Sequence, residues 1–166
     1  VGFLCREAIE SNLRQPWIIA GATIFFGILL WVSDVKQRDE KVKFLSHLHI
    51  FIIGCAQCFA LVPGASRAGV TMTAALFIGF SRTDALKISA VLAIPVIAIS
   101  VALELALLTS YAKDFYLDLL FVTFGSLISA YFSLHLFFGI IEKLGMLPFL
   151  IYRLFLGAFI IAFFYL

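Results

Sequence analysis

Pro63-Gly64-Ala65-Ser66-Arg67-Ala68-Gly69-Val70-Thr71 joins two apolar runs, Phe44–Ser66 and Ala68–Ser81, neither of which contains Lys, Arg, Asp or Glu. A helix needs about 20 apolar residues to cross a hydrocarbon core about 30 Å thick. The Pro63-Gly64 pair breaks the end of the first run, and the second is too short to span alone. Two half-helices meeting at such a break bring irregular backbone to membrane depth, where only surrounding protein or a watery cavity can satisfy it. The pattern predicts a re-entrant helical hairpin over about 47–81. One kinked span followed by an amphipathic surface helix fits the same pattern, and shape alone leaves both open.

Four longer runs surround the break. Pro16–Ser33 is uncharged and flanked by Trp17 and Trp31, residues suited to a membrane interface. Ile88–Leu108 is apolar except for Glu104 and contains Pro95; Leu119–Ile141 is uncharged; Leu144–Leu166 carries one charge, Arg153. Composition agrees: 63% of the 166 residues are apolar, 13% are charged, and 19 are Phe, with a mean hydropathy of +1.11. Soluble domains run nearer half apolar and a quarter charged. The expected fold is all-α: a polytopic integral membrane helical bundle forming a single transmembrane domain, 1–166.

Loop charges choose between the two topologies. A hairpin that returns to its own side places Lys36, Arg38, Lys41, Lys43, Arg82, Lys87 and Lys143 together and leaves Arg6, Arg14 and Lys113 opposite. Seven basic residues against three favour the re-entrant form by the positive-inside rule, with both termini outside. A net charge of +2 with no basic cluster gives no sign of nucleic acid. Cys55 and Cys58 form a CxxC, but no second CxxC or His pair completes a metal site, so packing within the apolar run is the expectation. The chain opens at Val1 without a signal-peptide pattern and reads as a fragment or processed chain.

The break also carries the chemistry. Gly64 and Gly69 let backbone approach a ligand closely. Ser66 is placed to cap the following helix, with Gly69 and Thr71 in its first turns. Exposed N–H groups and the positive dipole end then face the break and form an anion site. Arg67 adds a permanent cation whose planar donor fork suits phosphate or carboxylate. Charge at membrane depth is costly and is usually functional or paired; the alternative is an arginine snorkelling to an interface.

The run Gln57-Cys58-Phe59-Ala60-Leu61-Val62-Pro63-Gly64-Ala65-Ser66-Arg67-Ala68-Gly69-Val70-Thr71 resembles a signature of the undecaprenyl-diphosphate phosphatases, the bacitracin-resistance family. That signature is close to Gln-Cys-x-Ala-x-x-Pro-Gly-x-Ser-Arg-Ser-Gly-x-Thr. The likeness continues through Leu92–Val96 (LAIPV) and Pro148–Ala158 (PFLIYRLFLGA), so it runs from about Pro16 to the end. The resemblance implies a membrane enzyme that removes the terminal phosphate of a C55 polyprenyl diphosphate and recycles the carrier for peptidoglycan synthesis. It implies an inverted repeat with two re-entrant hairpins, in the bacterial inner membrane, and is compatible with a homodimer. By matching position, Ser66 and Arg67 are implied as catalytic, and Gly64, Gly69, Thr71 and Arg153 as substrate-binding. A divalent cation, Mg2+ or Ca2+, is implied too, with ligands outside this chain.

Two departures stand out. Ala68 replaces the signature's second serine. The family's Glu-rich motif on the partner hairpin is missing, and Glu7 and Glu10 precede Pro16 in a polar stretch without its context. The chain therefore resembles the C-terminal part of such an enzyme, and half of its inverted repeat. The alternative from another class is a transporter or flippase for a polyprenyl phosphate lipid, since broken half-helices facing an anion also build transporters. An inactive structural fragment is a third reading. Glu104 could face a cavity or the membrane surface; His47 and His49 are expected at an interfacial helix start; His135 is expected as a hydrogen-bonded core residue.

Overall fold

The computed structural model describes residues 15–36, 42, 44–108 and 116–165. Glu7, Glu10 and the charges at positions 6, 14, 38, 41, 43 and 113 lie outside them. Among the described residues six α-helices follow in order: α1 Pro16–Lys36, α2 His47–Gln57, α3 Arg67–Ile78, α4 Arg82–Leu108, α5 Tyr116–Leu144 and α6 Leu147–Tyr165, with a 3-10 turn at Cys58–Leu61 after α2. Four are long and apolar enough to cross a membrane, while α2 with its 3-10 turn and α3 are short apolar helices. This is the all-helical membrane bundle that hydropathy predicts. α4 starts before Ile88 because Ser81 caps it: Ser81 Oγ accepts the Asp84 N–H at 3.0 Å and donates to Asp84 Oδ2 at 2.8 Å. Pro95 stays inside α4.

One ion pair, with its carboxylate buried and its guanidinium partly exposed, sets the level of three chain segments. Asp34, 6% exposed at the end of α1, accepts Arg82 Nε and, at 3.0 Å, Arg82 Nη2 from the start of α4. It also accepts the Met146 N–H, 3.1 Å away, from the α5–α6 turn. The end of α1, the start of α4 and the α5–α6 turn therefore lie at one end of the bundle. The four long helices alternate in direction from there. α1 and α6 run antiparallel, with Gly27 against Arg153 and Gly157 against Ile24.

The turn residue Gly145 sits at φ +66°, and a Cβ there would stand 2.8 Å from both Asp34 Oδ2 and Arg82 Nη2. Gly145→Ala should therefore open the pair, leaving a buried carboxylate poorly satisfied, at a cost of roughly 1–3 kcal/mol. A lower thermal midpoint in detergent is the expected readout; an unchanged midpoint would show that the turn relaxes without strain.

Because α1 ends and α4 begins at the same level, the chain between them must return to where it started. α2 opens on a capping box in which Ser46 Oγ accepts the His49 N–H and His49 Nδ1 accepts the Ser46 N–H, both at 3.3 Å. The His49 ring meets Phe80 edge-on, with centroids 5.4 Å apart. Val42 N–H bonds Gly79 C=O at 3.3 Å. The start of α2 and the end of α3 thus lie side by side, with the Pro63–Arg67 turn at the far tip. That tip reaches α1 at Ile19 and Thr23 and α6 at Arg153, which lies level with Gly27. At ~1.5 Å per residue, the stretch from Asp34 back to Thr23 and Ile19, where Gly64 meets α1, puts the tip about 16–22 Å from the Asp34 end.

Outside this core the surface is greasy. Phe121, Phe132, Phe155 and Phe163 are each more than 60% exposed, which water would penalise and hydrocarbon does not. Cys55 and Cys58 are exposed free thiols, and His135 is exposed on α5, so neither the packing role expected for the cysteines nor the core role expected for His135 holds. An apolar run does not distinguish a helix face turned to protein from one turned to lipid. Glu104 is exposed as well, near the far end of α4.

Candidate anion site at the hairpin tip

Ser66 anchors the tip. Its φ of +61° puts a non-glycine residue in left-handed backbone, a costly conformation that persists where surroundings enforce it. As N-cap of α3 it accepts the Gly69 N–H on Oγ at 3.3 Å. Its own hydroxyl hydrogen stays free for a ligand, and the residue is exposed. The Arg67 and Ala68 N–H groups head the helix with no intrahelical carbonyl in reach. The capping expectation is met, and the strain could not be read from residue types.

Arg153 supplies the charge above this helix end. Its stem passes Gly27, where a Cβ would lie 2.9 Å from Arg153 Cδ. Arg153 Nη1 donates to the Ala65 carbonyl at 3.4 Å. A Cβ on Gly69 would lie 3.2 Å from Arg153 Nη2 and 3.5 Å from Ser66 Oγ. Guanidinium, hydroxyl and helix N-terminus therefore converge, and the missing side chain of Gly69 makes the room.

Arg67 lies on the other flank of the tip. It is half-buried and lines a cleft of about 450 Å³ between the start of α3, α4 and α5, together with Ser89 and Ser133. Its guanidinium has no hydrogen-bond or ion-pair partner among the described residues.

Two residues grouped with the binding set on sequence do other work. Thr71 is 1% exposed; its Oγ1 lies 2.8 Å from Ser89 Oγ and 3.0 Å from the Arg67 carbonyl. It ties the first turn of α3 to α4 and positions the site without facing it. Gly64, at φ +94°, is pressed on α1, where a Cβ would stand 2.5 Å from the Ile19 carbonyl oxygen. It seats the tip. Sequence reasoning passed over Ser89 and Gly27, which carry no local signal. It also passed over Gln57, whose Oε1 is buried without a partner; its place in the signature run was the available clue.

A divalent cation does not fit the residues present. Among the described residues no group of three His, Cys, Asp or Glu could hold a metal ion, and the carboxylates of Asp34 and Asp84 are engaged at the bundle end.

The fold is that of a polytopic membrane protein, with a candidate anion site at the tip of a broken helix pair. The family model described as "Bacitracin resistance protein BacA" matches residues 1–159, and the chain belongs to that family. The match reaches further toward the N-terminus than the signature-based likeness, which begins near Pro16. Curated relatives include undecaprenyl-diphosphatase 2 of Stutzerimonas stutzeri (strain A1501), 45% identical over 98% of this chain and 62% of the relative. Undecaprenyl-diphosphatase of Teredinibacter turnerae (strain ATCC 39867 / T7901) is 45% identical over 94% of this chain and 60% of the relative. Undecaprenyl-diphosphatase 1 of Pseudoalteromonas translucida (strain TAC 125) is 43% identical over 98% and 62%. The chain thus spans about three fifths of the length of these relatives.

Proposed function

We propose that this chain is the C-terminal portion of an undecaprenyl-diphosphate phosphatase of the bacterial inner membrane. The enzyme converts the diphosphate to undecaprenyl phosphate and inorganic phosphate, and so returns the lipid carrier to peptidoglycan synthesis. The observation that carries this reading is the convergence of Arg153, Ser66 Oγ and the α3 N-terminus at a tip that meets α1 about 16–22 Å into the bundle from the Asp34 end. A site that deep in an apolar bundle suits a membrane-held anion better than a soluble one.

In this reading Arg153 and the α3 N–H groups hold the terminal phosphate, and Arg67 holds the neighbouring one. Water attacks the terminal phosphorus, the bond to the bridging oxygen breaks, the electron pair leaves on the lipid phosphate, and the proton shed by the attacking water passes to solvent or to a phosphate oxygen. Arginine charge and helix-end N–H groups stabilise the charge that develops on those oxygens. Ser66, exposed at the head of α3, donates its hydroxyl hydrogen to a phosphate oxygen in this reading, and attack by its oxygen on phosphorus is the alternative.

The hairpin is re-entrant in the same proposal, opening on the side that holds residues 34–45. Single cysteines at Ser46 and Asp84 should label from the same face of sealed vesicles; labelling from opposite faces would rule the hairpin out. The test of function is phosphate release from a polyprenyl diphosphate by the full-length protein in vesicles. The chain alone should release little, because the acidic motif is missing. Release by the chain alone near the full-length rate would show that the motif is dispensable. Lipid translocation without phosphate release would favour a transporter instead. The mass of the reconstituted protein tests the homodimer.

A further inference from the structure

We propose that the cleft between α4 and α5 is the channel through which the isoprenoid chain of the lipid leaves the headgroup site, with Arg67 at its inner end. The proposal rests on the phosphatase reading and adds the path of the tail.

The cleft is about 450 Å³, with Arg67 and Ser89 at its inner wall, Ala90 and Ala93 along α4, and Ser133 and Phe137 along α5. One charged group facing it, the Arg67 guanidinium, has no hydrogen-bond or ion-pair partner among the described residues, while Ser133 is exposed on α5. Ser89 differs, since its hydroxyl is joined to Thr71. An apolar chain alone in the cleft would leave the Arg67 guanidinium unsatisfied in hydrocarbon, which is costly. A ligand with an anionic head and a single apolar chain satisfies the polar end and fills the apolar remainder. The opposite flank of the tip cannot serve, because Gly64 is pressed on α1 and Arg153 fills the space beside Gly27.

Geometry then orders the substrate. Arg153 and Ser66 take the terminal phosphate and Arg67 the phosphate that stays on the lipid, so the chain must leave on the Arg67 side. Little hydrophobic energy is gained, because the chain comes from lipid and stays in an apolar setting. The cleft instead fixes direction and keeps other lipids away from Arg67. Its small wall residues leave width for the branched isoprene units.

Two measurements on the full-length protein in vesicles test this. In the first, Phe137 or Phe121 is replaced by p-benzoyl-phenylalanine, with a radiolabelled long-chain polyprenyl monophosphate at trace level. Both positions are on α5, but Phe121 is 77% exposed on the lipid side. Label should attach at 137 well above 121; equal labelling, or none at 137, overturns the channel. In the second, Ala93→Trp narrows the cleft. The ratio of kcat/KM for a long-chain diphosphate to that for a C10 diphosphate should fall by about 10–200-fold, mainly through KM. An unchanged ratio overturns the proposal, including the case in which both substrates decline alike because the rest of the protein fills the cleft. If the unmodified protein hydrolyses neither substrate, the phosphatase reading fails, and the labelling at Phe137 still decides whether the cleft takes the chain.

Discussion

Arg67→Lys in the full-length protein is expected to reach the membrane at the normal level and to lose about 10²–10³ in turnover. Lysine keeps the charge and loses the planar fork, so one phosphate can no longer be gripped at two oxygens and oriented for in-line attack. The size follows from removing a group aimed at charge that develops in the transition state, by analogy with oxyanion-hole donors. Arg67 has no hydrogen-bond or ion-pair partner among the described residues and lines the α4–α5 cleft, so the substitution breaks no described bond and folding should survive. An arginine that merely snorkels gives the opposite result, since lysine reaches an interface by the same route. Turnover compared at matched membrane expression decides between the two. Activity within about twofold of wild type would make Arg67 an anchor and remove it from the site.

The long helices were legible because twenty uncharged residues have few options besides spanning a bilayer. The break was legible too: Pro63-Gly64 cannot continue a helix, and Ser66 three residues before Gly69 reads as a cap. What escaped were contacts between residues far apart in the chain. Asp34 and Arg82 are separated by 48 positions, and nothing near either announces the pairing that fixes the level of three segments. Thr71 looked like part of the anion site because it sits in the first turns of α3; only the position of α4 shows that its hydroxyl is spent on Ser89. Arg153 was reachable through the family resemblance alone, as its own surroundings are uniformly apolar. His135, Cys55 and Cys58 failed for a general reason: lipid and protein core are equally apolar, so hydropathy locates a residue in depth and says nothing of which way it faces.

Gly64→Ala is expected to lower turnover by about 100-fold or more while the long-helix bundle persists. Two costs act at this position. At φ +94° an L-residue pays roughly 1–2 kcal/mol for left-handed backbone. The new Cβ would also lie 2.5 Å from the Ile19 carbonyl oxygen and 2.8 Å from Thr23 Oγ1. Those two oxygens are already joined, Thr23 Oγ1 donating to Ile19 C=O at 2.7 Å, so neither can swing aside without losing that bond. The tip must therefore back away from α1. Arg153 is held by α6, and among the described residues its one hydrogen bond to the tip is the long one to the Ala65 carbonyl at 3.4 Å, so it will not follow. Serine hydroxyl and guanidinium then separate by the order of 1 Å, enough to cost about 10²-fold in rate when positioning carries the catalysis. The Asp34–Arg82–Met146 cluster lies about 16–22 Å away along α1, so a bundle still anchored there should survive in detergent with only a modestly lower midpoint. Thr23→Ala added to Gly64→Ala should not restore activity, because the nearer obstacle is backbone. Turnover and thermal midpoint of the single and double variants check this, and recovery in the double variant would mean that the Thr23 hydroxyl, not the α1 backbone, sets the seat of the tip.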